Sequence, residues 1–275
     1  LCYTRDWLIA GGTNGLARSP DGGKTWQRGA SAGGAPLVTA IIAPYAKMLF
    51  AGTLKVTLVA LLFAVPLSVA AAIYVAEYAG KRTREIVKPA IELLAGIPSV
   101  VVGFFALVVL ATWVQSTCGF EHRLNSVVAG AGLAFAVCPV VFSVTEDALR
   151  SVPGSYRSAA LALGSTKAQT VLNVVVPAAA PGIAAAIALG FGRAVGETMI
   201  VVLATGNAAL FDGSFGRSTR TVTATIAQEL GEVVVGSPHY TVLFMLGAML
   251  FLTTFGINLI GERIVTSMRR KLGVS

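Results

Sequence analysis

The sequence predicts an all-α integral membrane protein with five transmembrane helices visible and a short β-hairpin at its N-terminus. Three observations carry that prediction. Of 275 residues, 55% are hydrophobic and only 12% charged, about half the charged share of a soluble domain. The hydrophobic excess is aliphatic, since aromatic residues make up 8%, and aliphatic side chains are what lipid-facing helices use. The basic residues behind the net charge of +8 fall in short runs between apolar stretches. That is the pattern of membrane topology, not of a nucleic-acid footprint, so no nucleic-acid partner is expected. Cys2, Cys118 and Cys138 are too few and too scattered for a disulfide framework or a metal site, and Cys138, inside an apolar run, reads as a packing residue.

Residues 1–35 stand apart in composition, with three Gly-Gly pairs and no apolar run. Within them Ser19-Pro20-Asp21-Gly22-Gly23-Lys24-Thr25-Trp26 fits the Asp-box pattern S-x-D-x-G-x-T-W. The Gly pair permits positive φ in a tight turn, the Asp bonds turn amides, and the Trp packs between blades. This stretch resembles one hairpin of a β-propeller of the sialidase or photosystem-assembly-factor kind. One box cannot form a propeller, so residues 1–35 are expected to be the remnant of a larger periplasmic region. A glycosidase would need several boxes with an arginine and carboxylate cluster. Residues 36–50 read as a linker.

Apolar runs of about 20 residues, long enough to cross a bilayer, occupy 58–76, 93–114, 126–145, 174–206 and 240–260. Pro66, Pro98, Pro139, Pro177 and Pro181 lie in or beside these runs. Membrane helices tolerate them because neighbours satisfy the freed carbonyls. Loops after the first and third runs, with the tail, hold eleven Lys and Arg residues against three in the opposite loops. The positive-inside rule then puts the C-terminus in the cytoplasm and the segment before the first span outside. The chain begins Leu1-Cys2-Tyr3 without a signal peptide. A sixth span upstream would deliver that segment to the outside, so six helices are expected in the full protein. Residues 51–265 form the expected transmembrane domain, and 266–275 a basic cytoplasmic tail.

The cytoplasmic loop 148–177 carries the most specific signal. Tyr156-Arg157-Ser158-Ala159-Ala160-Leu161-Ala162-Leu163-Gly164 reads as a short Ala-rich helix ended by a Gly that lets the chain turn back to the membrane. A helix too apolar for water and too short to span is built to dock on a partner. The loop resembles the pattern E-A-A-x(3)-G-x(9)-I-x-L-P of the permeases of binding-protein-dependent ABC importers, with Ala159, Ala160, Gly164 and Pro177 in register. Ser158 stands in place of the Glu, and Val174 and Val176 replace the Ile and Leu. The resemblance implies a type I ABC importer permease fold whose loop couples to an ATPase subunit, with Arg157 or Lys167 supplying part of the polar contact that the absent Glu would make.

Gly192-Arg193-Ala194-Val195-Gly196-Glu197-Thr198-Met199, in the fourth run, resembles the G-R-A-x-G-E-T-M segment of the phosphate-specific permease, PstC type. Stretches 64–67, 77–79, 92–101 and 146–153 agree, and the resemblance covers roughly residues 50–265. It implies a bacterial inner-membrane permease subunit that passes inorganic phosphate. The implied partners are a PstA-like permease, two ATP-binding subunits and a periplasmic phosphate-binding protein. Surrounding membrane lipid completes the setting. No cofactor is expected in this chain, ATP and Mg belonging to the ATPase. No Walker A pattern, G-x-S-x-G motif or metal-ligand cluster appears, and His122 and His239 are isolated. The chain therefore reads as a transport subunit and not an enzyme.

An ionisable residue in mid-span costs about 2.5 to 3.5 kcal/mol on insertion scales, so it is kept where it faces a polar path. Arg193 and Glu197, spaced i and i+4, would share a helix face and pair with each other or with a partner helix. The guanidinium suits an oxyanion because its planar donors bond two oxygens at once. Arg193 reads as the pathway cation and Glu197 as its positioning or gating partner, with Thr198 beside them. A structural ion pair between helices is the competing reading. Ser99, after the Gly96-Ile97-Pro98 break, either lines the path or satisfies carbonyls at a packing kink. Glu146 and Asp147 form a solvated helix end or touch the ATPase. In 219–238, Val222, Ile226, Leu230 and Val233 or Val234 suggest an amphipathic helix on the membrane surface. A permease for molybdate or sulfate, an ion-driven carrier and a propeller-bearing membrane sensor are the alternative functions.

Overall fold

The computed structural model describes residues 2–4, 7–12, 15–19, 27–28, 35–208 and 213–271. It divides into two units, Leu1–Lys47 and Met48–Ser275. In the first, β1 (Cys2–Thr4), β2 (Trp7–Gly12), β3 (Gly15–Ser19) and β4 (Gln27–Arg28) pair in sequential antiparallel order. The β3–β4 pair aligns Ala17 with Arg28 and Arg18 with Gln27. The Asp-box turn between them, including Asp21 and Trp26, lies outside the described residues.

The second unit is helical. The long helix α1 (Ala35–Ile73), which belongs to this unit from Met48 on, continues through a π-helical turn, Tyr74–Tyr78. Next come α2 (Lys81–Ala95), α3 (Ser99–Phe105), a second π turn at Ala106–Leu110, and α4 (Ala111–Cys118). After α5 (Ser126–Ser151) follow α6 (Gly154–Ala162), α7 (Lys167–Thr170), a third π turn at Val171–Val175, and α8 (Val176–Gly196). Then α9 (Met199–Ala204), α10 (Val222–Glu229) and α11 (Pro238–Lys271) complete the unit. Among the described residues, five stretches are long and apolar enough to cross a membrane: Tyr45–Tyr78, Ser99–Cys118, Ser126–Ser151, Lys167–Gly196 and Pro238–Met268.

The third span, α5, is the core, and the sequence explains why. Asn125 caps it by accepting from the Val127 and Val128 amides, both at 3.0 Å, satisfying donors that a helix start leaves open. Small and β-branched residues then let its neighbours close in. A side chain on Gly130 would collide with Val59, and one on Gly182 with Ala148, so α1 and α8 approach α5 nearly backbone to backbone. Leu133, Val137, Val141 and Phe142 fill the seam. Ser68 donates to the Cys138 carbonyl at 3.1 Å across the α1–α5 contact, beside Pro139, and Cys138 itself packs against the core.

Several limits differ from the sequence expectation, the first span beginning at Tyr45 and not at 58 and the fourth at Lys167 and not at 174. The second span starts at Ser99 and not at 93, because Gly96-Ile97-Pro98 ends α2 and starts a new helix. Proline lacks an N–H and pushes the preceding residue out of the α region. The fourth run is not one helix to 206: α8 stops at Gly196, and Glu197 is extended at ψ 135°. The 219–238 segment does not lie along the surface over its length either. Val222, Thr223, Ala224 and Thr225 of α10 are buried in the bundle, where the Thr225 hydroxyl donates to the Thr221 carbonyl at 2.8 Å and the Val222 amide donates to Thr53 Oγ1 at 3.1 Å.

Candidate functional site: the α8–α9 break and the α6 loop

At the α8–α9 break the chain leaves helical geometry between Gly196 and Met199. Gly196 has the low helix propensity that permits this. The Glu197 carboxylate then turns back to accept from the Thr198 amide at 3.2 Å, and the Thr198 hydroxyl bonds the Gly196 carbonyl at 3.4 Å. Because Glu197 lies past the helix end, it does not share a face with Arg193, and no ion pair joins them among the described residues. The expected i, i+4 pair is therefore corrected. Arg193 instead donates through Nε to the Ala136 carbonyl of α5 at 2.9 Å. Its terminal nitrogens make no hydrogen bond to any described residue, and the residue is exposed on the surface of the chain.

Glu197 lines a crevice with Thr53, Thr57, Thr221 and Thr223 that is too narrow to admit water. Its carbonyl accepts from the Thr223 hydroxyl at 2.9 Å, which ties the break to α10. Ser99 opens α3, half-buried. That helix packs on α9, with Gly103 so close to Met199 and Ile200 that a Cβ there would lie 3.1 Å from the Met199 carbonyl oxygen. Ser99 thus belongs to the helix packed on the segment that follows Glu197 and Thr198.

The second group of residues surrounds α6. Gly164 ends that helix at φ +85°, a conformation that suits glycine. Thr166 starts α7 with a capping box, accepting from the Gln169 amide at 3.3 Å while the Gln169 side chain accepts from the Thr166 amide at 2.9 Å. Pro177 is the second residue of α8, just past the π turn at Val171–Val175. Ser158 folds its hydroxyl onto the Gly154 carbonyl at 3.1 Å; Ala159 is exposed and Ala160 buried. Arg157 is not free to stand in for the absent Glu: it forms a bidentate pair with Glu77 at 2.6 and 3.2 Å and caps the carbonyls of Val152 and Leu149. Lys167 lies over the Tyr78 ring, 5.1 Å from its centre. Both cations therefore fasten the loop to the π turn that ends the first span.

Two residues escaped the sequence reading. Glu146 is no solvated helix end; it is completely buried, bonded by Lys88 at 2.7 Å and Arg150 at 3.4 Å. Lys88, on α2, also reaches Asp147 at 3.0 Å. The Glu146 carboxylate beside it holds the Lys88 ammonium above its usual pKa, Asp147 adding to this and burial opposing it. Lys88 and Glu77 are 58 and 80 residues from their partners in sequence, so only the Glu146 to Arg150 spacing left a local trace. Among the described residues no three His, Cys, Asp or Glu side chains gather as a metal site.

Comparison with known proteins places this architecture. The profile of the family described as "Binding-protein-dependent transport system inner membrane component" matches residues 64–272. A probable ABC transporter permease of Bacillus subtilis, YqgH, is 36% identical over 207 residues, covering 74% of this chain and 66% of its own length. The phosphate transport system permease PstC of Mesorhizobium japonicum is 32% identical over 241 residues, covering 81% of this chain and 73% of its own. The chain thus spans just under two thirds of the Bacillus relative and somewhat more of PstC. Among solved structures, the inward-facing MetNI methionine ABC transporter superposes with a TM-score of 0.60 at 18% identity, over 85% of this chain and 97% of that one.

Proposed function

The chain belongs to the family of inner membrane components of binding-protein-dependent transport systems, and we propose that it is the phosphate-translocating permease of an ATP-driven importer. It is a multi-pass inner membrane protein that does no covalent chemistry of its own. ATP, with Mg, is hydrolysed on two ATP-binding subunits. A periplasmic binding protein delivers the anion, and a PstA-like permease supplies the other half of the path. The C-terminus lies in the cytoplasm and residues 1–35, the propeller remnant, in the periplasm.

The observation that carries this reading is Arg193. A guanidinium fixed through one nitrogen to the Ala136 carbonyl, with its remaining donors unbonded and no carboxylate paired to it, is an uncompensated cation within a span. Such a charge is costly against hydrocarbon and stable against water or an anion. Its free fork matches two oxygens of a phosphate, and the PstC relatives make phosphate the first anion to test. Glu197 and Thr198 hold the break beside it, and Ser99 sits on the adjoining helix. Closure of the ATPase pushes on α6, and the Arg157–Glu77 and Lys167–Tyr78 contacts pass that push to the first span.

The test is uptake of radiolabelled phosphate by importer-deficient cells expressing the complete parent gene with its partners. Wild type accumulates phosphate despite excess molybdate and sulfate, Arg193→Ala loses uptake by about two orders of magnitude for an uncompensated charge-assisted contact, and Arg193→Lys keeps part of it. Competition by molybdate or sulfate instead assigns the path to that oxyanion.

A further inference from the structure

We infer that Asn258, on the fifth span, is a second anion-facing group of the translocation path, presenting its amide N–H to the oxyanion that Arg193 holds. This rests on the permease reading above. Asn258 lies inside the span Pro238–Met268, where the neighbouring side chains are apolar. It packs against α8 at Gly192: a Cβ placed there would lie 3.3 Å from Asn258 Oδ1 and 3.8 Å from Nδ2. One turn along, Gly261 faces Ala188 in the same way, at 3.2 Å. These two contacts fix the level of Asn258 along α8, beside the residue adjoining Arg193.

The Asn258 side chain is exposed and makes no hydrogen bond to any described residue. An amide with unmet donors is costly against hydrocarbon, so this face of α11 meets water, a ligand or protein. Arg193, the next residue of α8, also keeps unbonded donors. Two donor groups without acceptors, on two adjoining helices, call for a ligand rich in acceptors, and an oxyanion is one. A neutral amide bonds such a ligand without repelling it, as a carboxylate here would. Gly192 provides the room, since any larger side chain would press on the amide oxygen.

The test uses the complete protein assembled with its partner subunits in proteoliposomes. Asn258→Cys, in a background of Cys2→Ser, Cys118→Ser and Cys138→Ala, is exposed to a cationic, membrane-impermeant methanethiosulfonate. The cysteine is expected to react, and to react at least severalfold more slowly during turnover with phosphate-loaded binding protein. Asn258→Ala is expected to lower phosphate uptake about tenfold, the worth of one hydrogen bond to a charged group, with Asn258→Gln recovering part of it. A cysteine inert in every nucleotide state, or crosslinked to the partner permease in every state, overturns the inference. So does wild-type uptake by Asn258→Leu. Protection by sulfate or molybdate turnover, without protection by phosphate, upholds the place of Asn258 in the path and overturns the phosphate reading alone.

Discussion

Lys88 and Glu146 show what a pair distant in sequence does for stability. Glu146 has no exposed side-chain surface, so its charge depends on Lys88 and on the longer contact from Arg150. Lys88→Met, which keeps the stem and removes the charge, is expected to destabilise the bundle by about 2 kcal/mol, below the usual cost of breaking a buried pair because Arg150 remains. Thermal unfolding of the purified protein measures it. The pH dependence has a definite sign. The folded-state pKa of Lys88 is raised above 10.5, so its stabilisation is fully present below that value and is lost as pH rises through the folded value. The variant lacks this alkaline component. Arg193 was legible in the sequence, because a charge inside an apolar run stands out without any partner being known. Its assumed pairing with Glu197 was not legible: spacing implies a shared face only while the helix continues, and it stops at Gly196.

For the elements, the α6 loop is held by one glycine conformation and one ion pair. Gly164→Ala forces a side chain into φ +85°, at an expected cost of about 1 kcal/mol, read as a lower unfolding midpoint. Arg157→Ala and Glu77→Ala should each leave the ATPase running while phosphate movement falls, and the double variant should fall no further than Arg157→Ala, which already removes the shared 2.6 Å contact. Additive losses would mean that the two residues act separately. Helix packing makes another demand. Gly182→Val would drive a side chain into Ala148 and is expected to destabilise by about 1–3 kcal/mol through overpacking, again seen in thermal unfolding. Hydropathy located all five spans, since burial in lipid is a compositional property. It missed their ends, because Pro98, the Gly196 break and the three π turns act through backbone geometry that average hydrophobicity does not register. It also left α10 on the surface, where buried threonine hydroxyls in fact seat its first turn against Thr53 and the Glu197 carbonyl.

Across the spans, burial is graded. The most apolar window of the third span is 61% buried inside the chain, that of the fifth only 11%, with Phe244, Phe251, Leu252, Phe255 and Ile260 exposed. Those side chains meet lipid or a second permease. The membrane class and the importer family were legible from composition and from the 156–177 and 192–199 motifs, whereas contacts joining α2, α5 and the first span were not, since each joins residues far apart in the chain. The most direct test of the account follows phosphate and ATP together. The complete importer is reconstituted in proteoliposomes with phosphate-loaded binding protein, and phosphate entry and ATP hydrolysis are recorded for wild type and Arg193→Ala. The account predicts that the variant still hydrolyses ATP in response to the binding protein but admits almost no phosphate. Phosphate entry at the wild-type rate would contradict it.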